Sequence, residues 1–85
     1  MYESVKNKIR QYIVNMAEIQ PDDKEFSDEI NLYKYGYLDS IDSMSVIYFL
    51  ESEFDVKITK EDILLNNLET INNIANMVTD KIENR

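Results

Sequence analysis

The 85-residue sequence contains no cysteine and no histidine, and it has only one glycine and one proline. Without cysteine the chain can form no disulfide, no thiolate metal site and no cysteine nucleophile. Without histidine it can build neither a serine–histidine catalytic pair nor a zinc site with imidazole ligands. One glycine and one proline leave few turn-forming positions, which disfavours an all-β fold with its many tight turns.

Positive charge is also scarce, because the sequence has 9 basic and 17 acidic side chains and therefore a formal charge of −8. Such a chain repels the phosphates of nucleic acids, so we expect no nucleic-acid partner and instead partners with basic surfaces. The longest apolar run, residues 46–50, is too short to cross a bilayer, and the first residues lack the apolar block of a signal peptide. We therefore expect a cytoplasmic protein without membrane insertion.

What the chain does contain is the composition of a globular domain, with 44% hydrophobic and 31% charged residues. At this length we expect a single domain over residues 1–85, and we expect it to be a monomer. Apolar residues at helical spacing predict helices over residues 2–17, 40–54 and 60–65, and a last one from the capping Thr70 to about residue 81. The predicted fold is an all-α four-helix bundle with three longer helices, a short third helix and a long first loop.

The side-chain pattern adds expectations within these elements. Gly36 is predicted to adopt a positive φ just before the second helix, and the many apolar residues of the first loop should attach it to the core. We interpret the bases of the first helix as a solvated face: Lys6, Lys8 and Arg10. We interpret one broad apolar face of the second helix as its core contact: Ile41, Met44, Ile47, Tyr48, Leu50 and Phe54.

The many acids suggest a calcium loop or a pair of catalytic carboxylates, but neither interpretation holds. Loops counted from Asp22 or from Asp39 lack both the ligand residues and the glycine of an EF-hand, so we expect no metal site. Asp39 and Asp42 lie one helical turn apart, but a small helical domain has little room for the deep pocket that acid–base catalysis needs. We therefore expect no catalytic residue and no enzyme activity.

The remaining feature is Ser40, which follows Asp39 where the first loop meets the second helix. A side chain at this position points to solvent, and the adjoining backbone N–H groups can face a phosphate. The alternative is that Ser40 is only part of the helix cap, as serine often is, and position alone favours this alternative.

Residues 38–44, Leu-Asp-Ser-Ile-Asp-Ser-Met, resemble the Asp-Ser-Leu phosphopantetheine attachment motif of acyl carrier proteins. The resemblance continues through the apolar residues 46–50 and then through Glu51-Ser52-Glu53-Phe54, an acidic patch that ends in phenylalanine. Further on, residues 56–62 resemble the family's loop and short third helix, and Thr70-Ile71 resembles the start of its fourth helix. The resemblance covers nearly the whole chain without insertions.

The resemblance implies a fold and a function. The fold is the four-helix bundle of acyl carrier proteins, and the cofactor is 4'-phosphopantetheine, transferred from coenzyme A to Ser40 by a magnesium-dependent transferase. The thiol of the arm then holds an acyl or aminoacyl group as a thioester, so the carrier itself needs neither cysteine nor histidine. The implied partners are a phosphopantetheinyl transferase, an acyl- or aminoacyl-activating ligase, and a downstream acyltransferase or synthase.

Two points of register refine the resemblance. Asp42-Ser43 repeats the motif, but counting from Ser43 would leave the acidic end of the helix three residues short, which favours Ser40. Gly36 stands four residues before Ser40, whereas the glycine of common fatty-acid carriers stands three before. The longer form resembles D-alanyl and other stand-alone aminoacyl carriers, and also many carriers of specialised pathways. The sequence does not specify the cargo.

Charge and resemblance together predict a docking surface. Between Glu18 and Asp55 there are eleven acids and two bases, while the rest of the chain has a net charge of +1. Carriers of this family dock the helix that follows the serine onto basic patches, and such fields speed encounter. The predicted docking residues are Asp42, Met44, Glu51 and Glu53, although Met44 fits core packing equally well and one of the two glutamates is expected to be only solvated.

The alternative to a carrier protein is a protein of a different class, a non-catalytic acidic helical interaction module without a prosthetic group.

Overall fold

The computed structural model describes all 85 residues as four helices without a strand: α1 (Tyr2–Met16), α2 (Ser40–Phe54), α3 (Lys60–Leu64) and α4 (Ile71–Glu83). The predicted all-α bundle is confirmed, and the helix ends lie within two residues of those expected from the sequence. Residues 17–39 form the first loop. None of the four helices combines the length and the apolarity needed to span a membrane.

The core lies mainly between α1 and α4, and α2 packs against α4 as well. In α1 the buried residues recur every four positions, at Val5, Ile9 and Ile13, because side chains at this spacing share one face of a helix. In α4 the buried residues cover a broader face of the helix: Ile71, Ile74, Ala75, Met77, Val78 and Thr79. Fourteen buried apolar side chains in all form one core cluster.

The face of α2 that enters the core differs from the expected one. The buried residues are Val46, Leu50 and Phe54, whereas the side chains of three residues assigned to the core are exposed: Ile41 by 75%, Met44 by 71% and Tyr48 by 74%. The prediction of one broad apolar face is therefore wrong for these three residues and right for Leu50 and Phe54. Apolar residues occur nearly all round this helix, so their spacing does not select the buried side. Packing against α4 and α1 does, for example where the rings of Tyr12 and Phe49 stack.

The first loop is attached to the rest of the fold by apolar side chains and by backbone hydrogen bonds. Leu32 and Leu38 are buried in the core. The Leu32 N–H donates to the Glu69 carbonyl oxygen at 2.8 Å, and the Asn72 N–H donates to the Asp28 carbonyl oxygen at 3.0 Å. The loop is thus joined to the segment that starts α4, which brings residues around 32 and 69 together beside α2.

Only one of the three bases of α1 lies on a solvated face, because Lys8 is exposed whereas Lys6 and Arg10 are partly buried. Both Arg10 and Lys6 form ion pairs with the Asp28 carboxylate, and only 16% of the Lys6 side chain is exposed. Lys8 forms an ion pair with Glu53 near the end of α2, at 3.2 Å. The interpretation from the sequence is wrong for Lys6 and Arg10, because their shared partner Asp28 lies 18 or more residues away, on a loop that only the folded chain brings to α1.

Candidate functional site

The start of α2 is held by a reciprocal pair of hydrogen bonds. The Asp39 carboxylate accepts the Asp42 N–H at 2.8 Å, and the Asp42 carboxylate accepts the Asp39 N–H at 3.0 Å, which is a complete capping box. Gly36, three residues before Asp39, has the predicted positive φ, at 80°. The residue directly after the cap, Ser40, is therefore the first residue of a well-defined helix N-terminus.

The two candidate serines have different surroundings. Ser40 is exposed, and its hydroxyl takes part in no hydrogen bond within the protein. The Ser43 hydroxyl instead donates to the Ser40 carbonyl oxygen at 2.6 Å and is partly buried. Of the two hydroxyls, that of Ser40 is the one free to be modified.

The backbone around Ser40 suits a phosphate group. The capping box uses the N–H groups of Asp39 and Asp42, and the Ser43 N–H donates to the Asp39 carbonyl oxygen. The N–H groups of Ser40 and Ile41 have no partner in the protein, as is usual in a first helical turn. Unpaired N–H groups at a helix N-terminus stabilise a nearby phosphate, so the attachment site of a phosphate-linked arm fits here.

A cleft of about 350 Å³ adjoins Ser40 between α2, α3 and the segment before α4. Its apolar lining residues are Ile47, Ile63 and Leu68. The remaining lining residues are polar: Tyr33, Ser40, Ser43, Asn66 and Glu69. A flexible group attached to Ser40 thus has an amphipathic surface beside it, with apolar walls and several hydrogen-bonding groups.

Tyr33 carries the perturbed titratable group of this cleft. Burial raises the pKa of the Tyr33 phenol, and the negative charges of Asp42, Glu69 and Asp39 raise it further, against the opposing effect of the nearby Ser43 hydroxyl. The phenol therefore stays protonated at neutral pH and can act as a hydrogen-bond donor or acceptor.

The structure places the predicted docking residues in different settings. Met44 is exposed on α2, so the alternative of core packing for this residue is wrong. The Glu51 carboxylate accepts the Ile58 N–H at 2.9 Å, which ties the segment after α2 to the helix, and Glu53 is paired with Lys8. Asp42 belongs to the capping box. Of the four predicted docking residues, Met44 is the one that takes part in no capping interaction, backbone hydrogen bond of its side chain or ion pair, and it is 71% exposed.

Sequence reasoning missed Tyr33, Asn66 and Glu69 as neighbours of Ser40. These residues lie seven or more positions from Ser40, and no local spacing signals their position. The signal lies in the tertiary structure, where the hydrogen bond between Leu32 and Glu69 brings the first loop and the start of α4 together.

Other surface features lie apart from Ser40. The largest cleft, about 540 Å³, lies between the end of α2 and the end of α4, and its lining is mostly polar or charged, including Asp55, Lys57, Lys81 and Arg85. No three acidic side chains come together in an arrangement that could hold a metal ion.

A bundle of four helices with an unbonded serine hydroxyl at the capped start of α2 is compatible with a protein that carries a phosphate-linked arm. The family model described as "phosphopantetheine attachment site" matches residues 7–78, which is most of the chain. The chain belongs to this family, that of the acyl carrier proteins, whose cofactor is covalently attached 4'-phosphopantetheine. Carrier domains of this kind are non-catalytic and interact with modifying and acyl-handling enzymes. No curated protein matches the sequence significantly.

Proposed function

We propose that Ser40 is the attachment residue and that the chain holds an acyl or aminoacyl group as a thioester and presents it to partner enzymes. The observation that carries this proposal is the exposed and unbonded Ser40 hydroxyl at the capped N-terminus of α2, within the matched residues 7–78. When attached, 4'-phosphopantetheine supplies the thiol that the chain lacks. The chain itself contributes a rigid, exposed attachment point, for which Asp39 supplies the cap.

The chain acts as a carrier and catalyses nothing in this proposal. Both carboxylates next to Ser40 are hydrogen-bonded in the capping box, so neither is free to act as a general base for its hydroxyl. Activation of Ser40 is therefore assigned to the transferase. We further propose that residues 1–85 act as one carrier domain in the cytoplasm, where a thiol on the arm stays reduced.

The proposed partners are a phosphopantetheinyl transferase, an acyl- or aminoacyl-activating ligase, and a downstream acyltransferase or synthase with basic docking patches. On α2, the exposed Met44 shares the helix with the acids Asp42, Glu51 and Glu53, which suits a partner surface that combines an apolar contact with basic side chains. The four-residue spacing from Gly36 to Ser40 supports a cargo of the D-alanyl or other aminoacyl type over a fatty acyl chain.

Mass spectrometry of the modified chain tests the attachment residue. The full chain is incubated with coenzyme A, magnesium and a broad-specificity phosphopantetheinyl transferase. We expect a gain of one phosphopantetheine mass in the unchanged chain and in Ser43→Ala, and no gain in Ser40→Ala. Ser43→Ala is the matched control, because it removes a hydroxyl one turn further along the same helix.

A gain that persists in Ser40→Ala and disappears in Ser43→Ala would contradict the proposal, because it would make Ser43 the attachment residue. No gain in the unchanged chain would contradict the carrier proposal and favour the second candidate, a non-catalytic acidic interaction module. The observation that supports this second candidate is the set of exposed apolar residues on α2: Ile41, Met44 and Tyr48.

A further inference from the structure

The outer side of α2 carries no charge. At 3.6 residues per turn, the exposed residues that follow Ser40 on this side fall within a sector of about 100°: Ile41, Met44, Ser45, Tyr48 and Ser52. The three apolar ones are each exposed by 71% or more. The acids of the helix are engaged elsewhere, in the cap, with the segment after α2 and with Lys8. An enzyme that covers this side therefore meets apolar and hydroxyl groups.

Met44 lies on the same side of α2 as Ser40, one turn further along the helix. Side chains four residues apart share one face of a helix, and their Cβ atoms are about 6 Å apart. A stable protein interface covers about 800 Å² on each partner. Any enzyme that reaches the Ser40 hydroxyl therefore also covers Met44.

Met44 is also the side chain on this surface that an oxidant can change. The chain has no cysteine, so the sulfur atoms of its four methionines are its targets for peroxides. Met77 is buried and Met16 is half-buried against the core, whereas Met1 and Met44 are exposed. Of the two exposed methionines, only Met44 belongs to the helix that begins at Ser40. Peroxide therefore reaches a methionine beside the attachment site before it reaches the core.

We propose that Met44 is an oxidation site that controls the access of partner enzymes to Ser40. A lone pair of the Met44 sulfur attacks one oxygen of hydrogen peroxide and the O–O bond breaks. The hydroxide that leaves takes the proton of the transferred oxygen and becomes water, so sulfur is oxidised by two electrons and peroxide is reduced. A thiol-dependent methionine sulfoxide reductase reverses the change, as two thiols become a disulfide and the oxygen leaves as water. The proposal rests on attachment of the arm to Ser40 and adds regulation to the proposed function.

The sulfoxide changes the surface of α2 without changing the fold. It places a polar S=O group in the uncharged sector, and a polar group that is buried against an apolar partner without a hydrogen bond is costly. We expect kcat/KM for the transfer of phosphopantetheine to Ser40 to fall about tenfold. Most of the change should lie in KM, since Met44 is beside the reacting hydroxyl and takes no part in the reaction. The melting temperature should change by less than about 3 °C, because Met44 is exposed.

The test uses the full chain, before attachment of the arm, as the substrate of a phosphopantetheinyl transferase. The chain is treated with hydrogen peroxide, the peroxide is removed with catalase, and the oxidised positions are located by mass spectrometry of peptides. We expect Met44 to gain one oxygen at least about tenfold faster than Met77. Initial rates with coenzyme A and magnesium then give kcat and KM before and after treatment. A methionine sulfoxide reductase should restore the original KM.

Each variant is compared with its own untreated sample. Met44→Leu keeps an apolar side chain that peroxide does not oxidise, so its KM should not respond to the treatment, although Met1 is still oxidised. Met16→Leu is the matched control, because it retains Met44 and should lose as much kcat/KM on treatment as the unchanged chain. Met44→Gln, a polar side chain of similar length, should raise KM without any oxidant.

A KM that stays the same when Met44 is oxidised, or that rises equally in treated Met44→Leu, would overturn the inference. So would oxidation of Met16 or Met77 ahead of Met44. Failure of the transferase to load the untreated chain is a separate outcome, visible by mass before any oxidation, and it would overturn the carrier proposal and this inference together.

Discussion

Ser40 and Ser43, three residues apart in α2, differ in the hydrogen bonds of their hydroxyl groups. The Ser43 hydroxyl donates to a backbone carbonyl oxygen within the first turn, at 2.6 Å, while the Ser40 hydroxyl faces solvent beside unpaired N–H groups. The capping box engages Asp39 and Asp42 at the same time. The acids next to the serine therefore act first on helix geometry, and the cap keeps the proposed attachment residue, Ser40, at an exposed helix start.

Gly36 shows how a single residue positions this helix start. Its φ of 80° lies in the left-handed region, and a Cβ atom added there would meet nothing within 4 Å. We expect Gly36→Ala to lower the free energy of unfolding by about 1–2 kcal/mol, because the cost is backbone strain without a steric clash. Urea unfolding at pH 7 measures this change.

Gly36→Asn is the matched variant for that measurement, because asparagine adopts the left-handed conformation more readily than alanine. It should lose clearly less stability than Gly36→Ala. Equal losses in the two variants, or no loss in Gly36→Ala, would contradict backbone strain at positive φ as the cause of the destabilisation.

At the scale of elements, Asp28 links α1, the first loop and α4. Its carboxylate is paired with Arg10 and Lys6 of α1, with the Arg10 Nε donating at 2.8 Å, and its carbonyl oxygen accepts the Asn72 N–H of α4. The hydrogen bond from Arg10 lowers the pKa of Asp28 below its ordinary value of 3.8, against the opposing effect of burial. The loop that carries Gly36 and Asp39 is thus held partly by charge.

This ion pair has a defined pH dependence. Because the pKa of Asp28 is lower in the folded state, its contribution to stability is present above the unfolded pKa and is lost as the pH falls through the folded pKa. We expect Asp28→Asn to lower the free energy of unfolding by roughly 1 kcal/mol at pH 7 and by much less near pH 3. Urea unfolding at the two pH values measures the difference.

Asp22→Asn is the control, since Asp22 is an exposed acid of the same loop without an ion pair. Other carboxylates whose pKa is also lowered, Asp23 and Asp62, contribute to acid unfolding in every variant, so the comparison with Asp22→Asn isolates Asp28. A loss in Asp28→Asn that is the same at both pH values would contradict an electrostatic role for Asp28.

At the scale of the whole molecule, the net charge of −8 is distributed unevenly. The segment between Glu18 and Asp55 holds most of the acids, and the bases of α1 neutralise only Asp28 and Glu53 within it. The first loop and α2 therefore share an excess of negative charge. This excess surrounds Ser40, where it favours encounter with basic partners and opposes the compact state.

Self-repulsion of this kind should be visible in thermal unfolding. We expect sodium chloride or magnesium chloride, added at low ionic strength, to raise the melting temperature by several degrees, since a change of 1 kcal/mol corresponds to roughly 4–8 °C in a domain of this size. Differential scanning calorimetry measures this shift.

A variant with three exposed loop acids neutralised, Asp22→Asn, Glu25→Gln and Glu29→Gln, should respond less to added salt. A melting temperature that is insensitive to magnesium at low salt would contradict the clustering of acids as a destabilising factor. A response that is unchanged in the triple variant would place the repulsion elsewhere in the chain.

The sequence by itself determined the helices and their ends. The four-residue spacing of Val5, Ile9 and Ile13 is a local property of a helix, and so are the caps at Asp39, Thr59 and Thr70, whose bonds reach only three residues along the chain. The fold class, the family and the position of Ser40 at a helix start follow from such short-range patterns.

Only the tertiary structure decided which side of α2 is buried, which acids the bases of α1 neutralise, and which residues surround Ser40. These outcomes depend on contacts such as those between Arg10 and Asp28 or between Leu32 and Glu69, which join residues 18 and 37 positions apart. No local period encodes a pairing over such distances. Because apolar residues occur almost all round α2, the sequence did not decide which side of this helix is buried. Packing in the folded chain decided it, and it left Met44 exposed and placed Glu69 in the cleft beside Ser40.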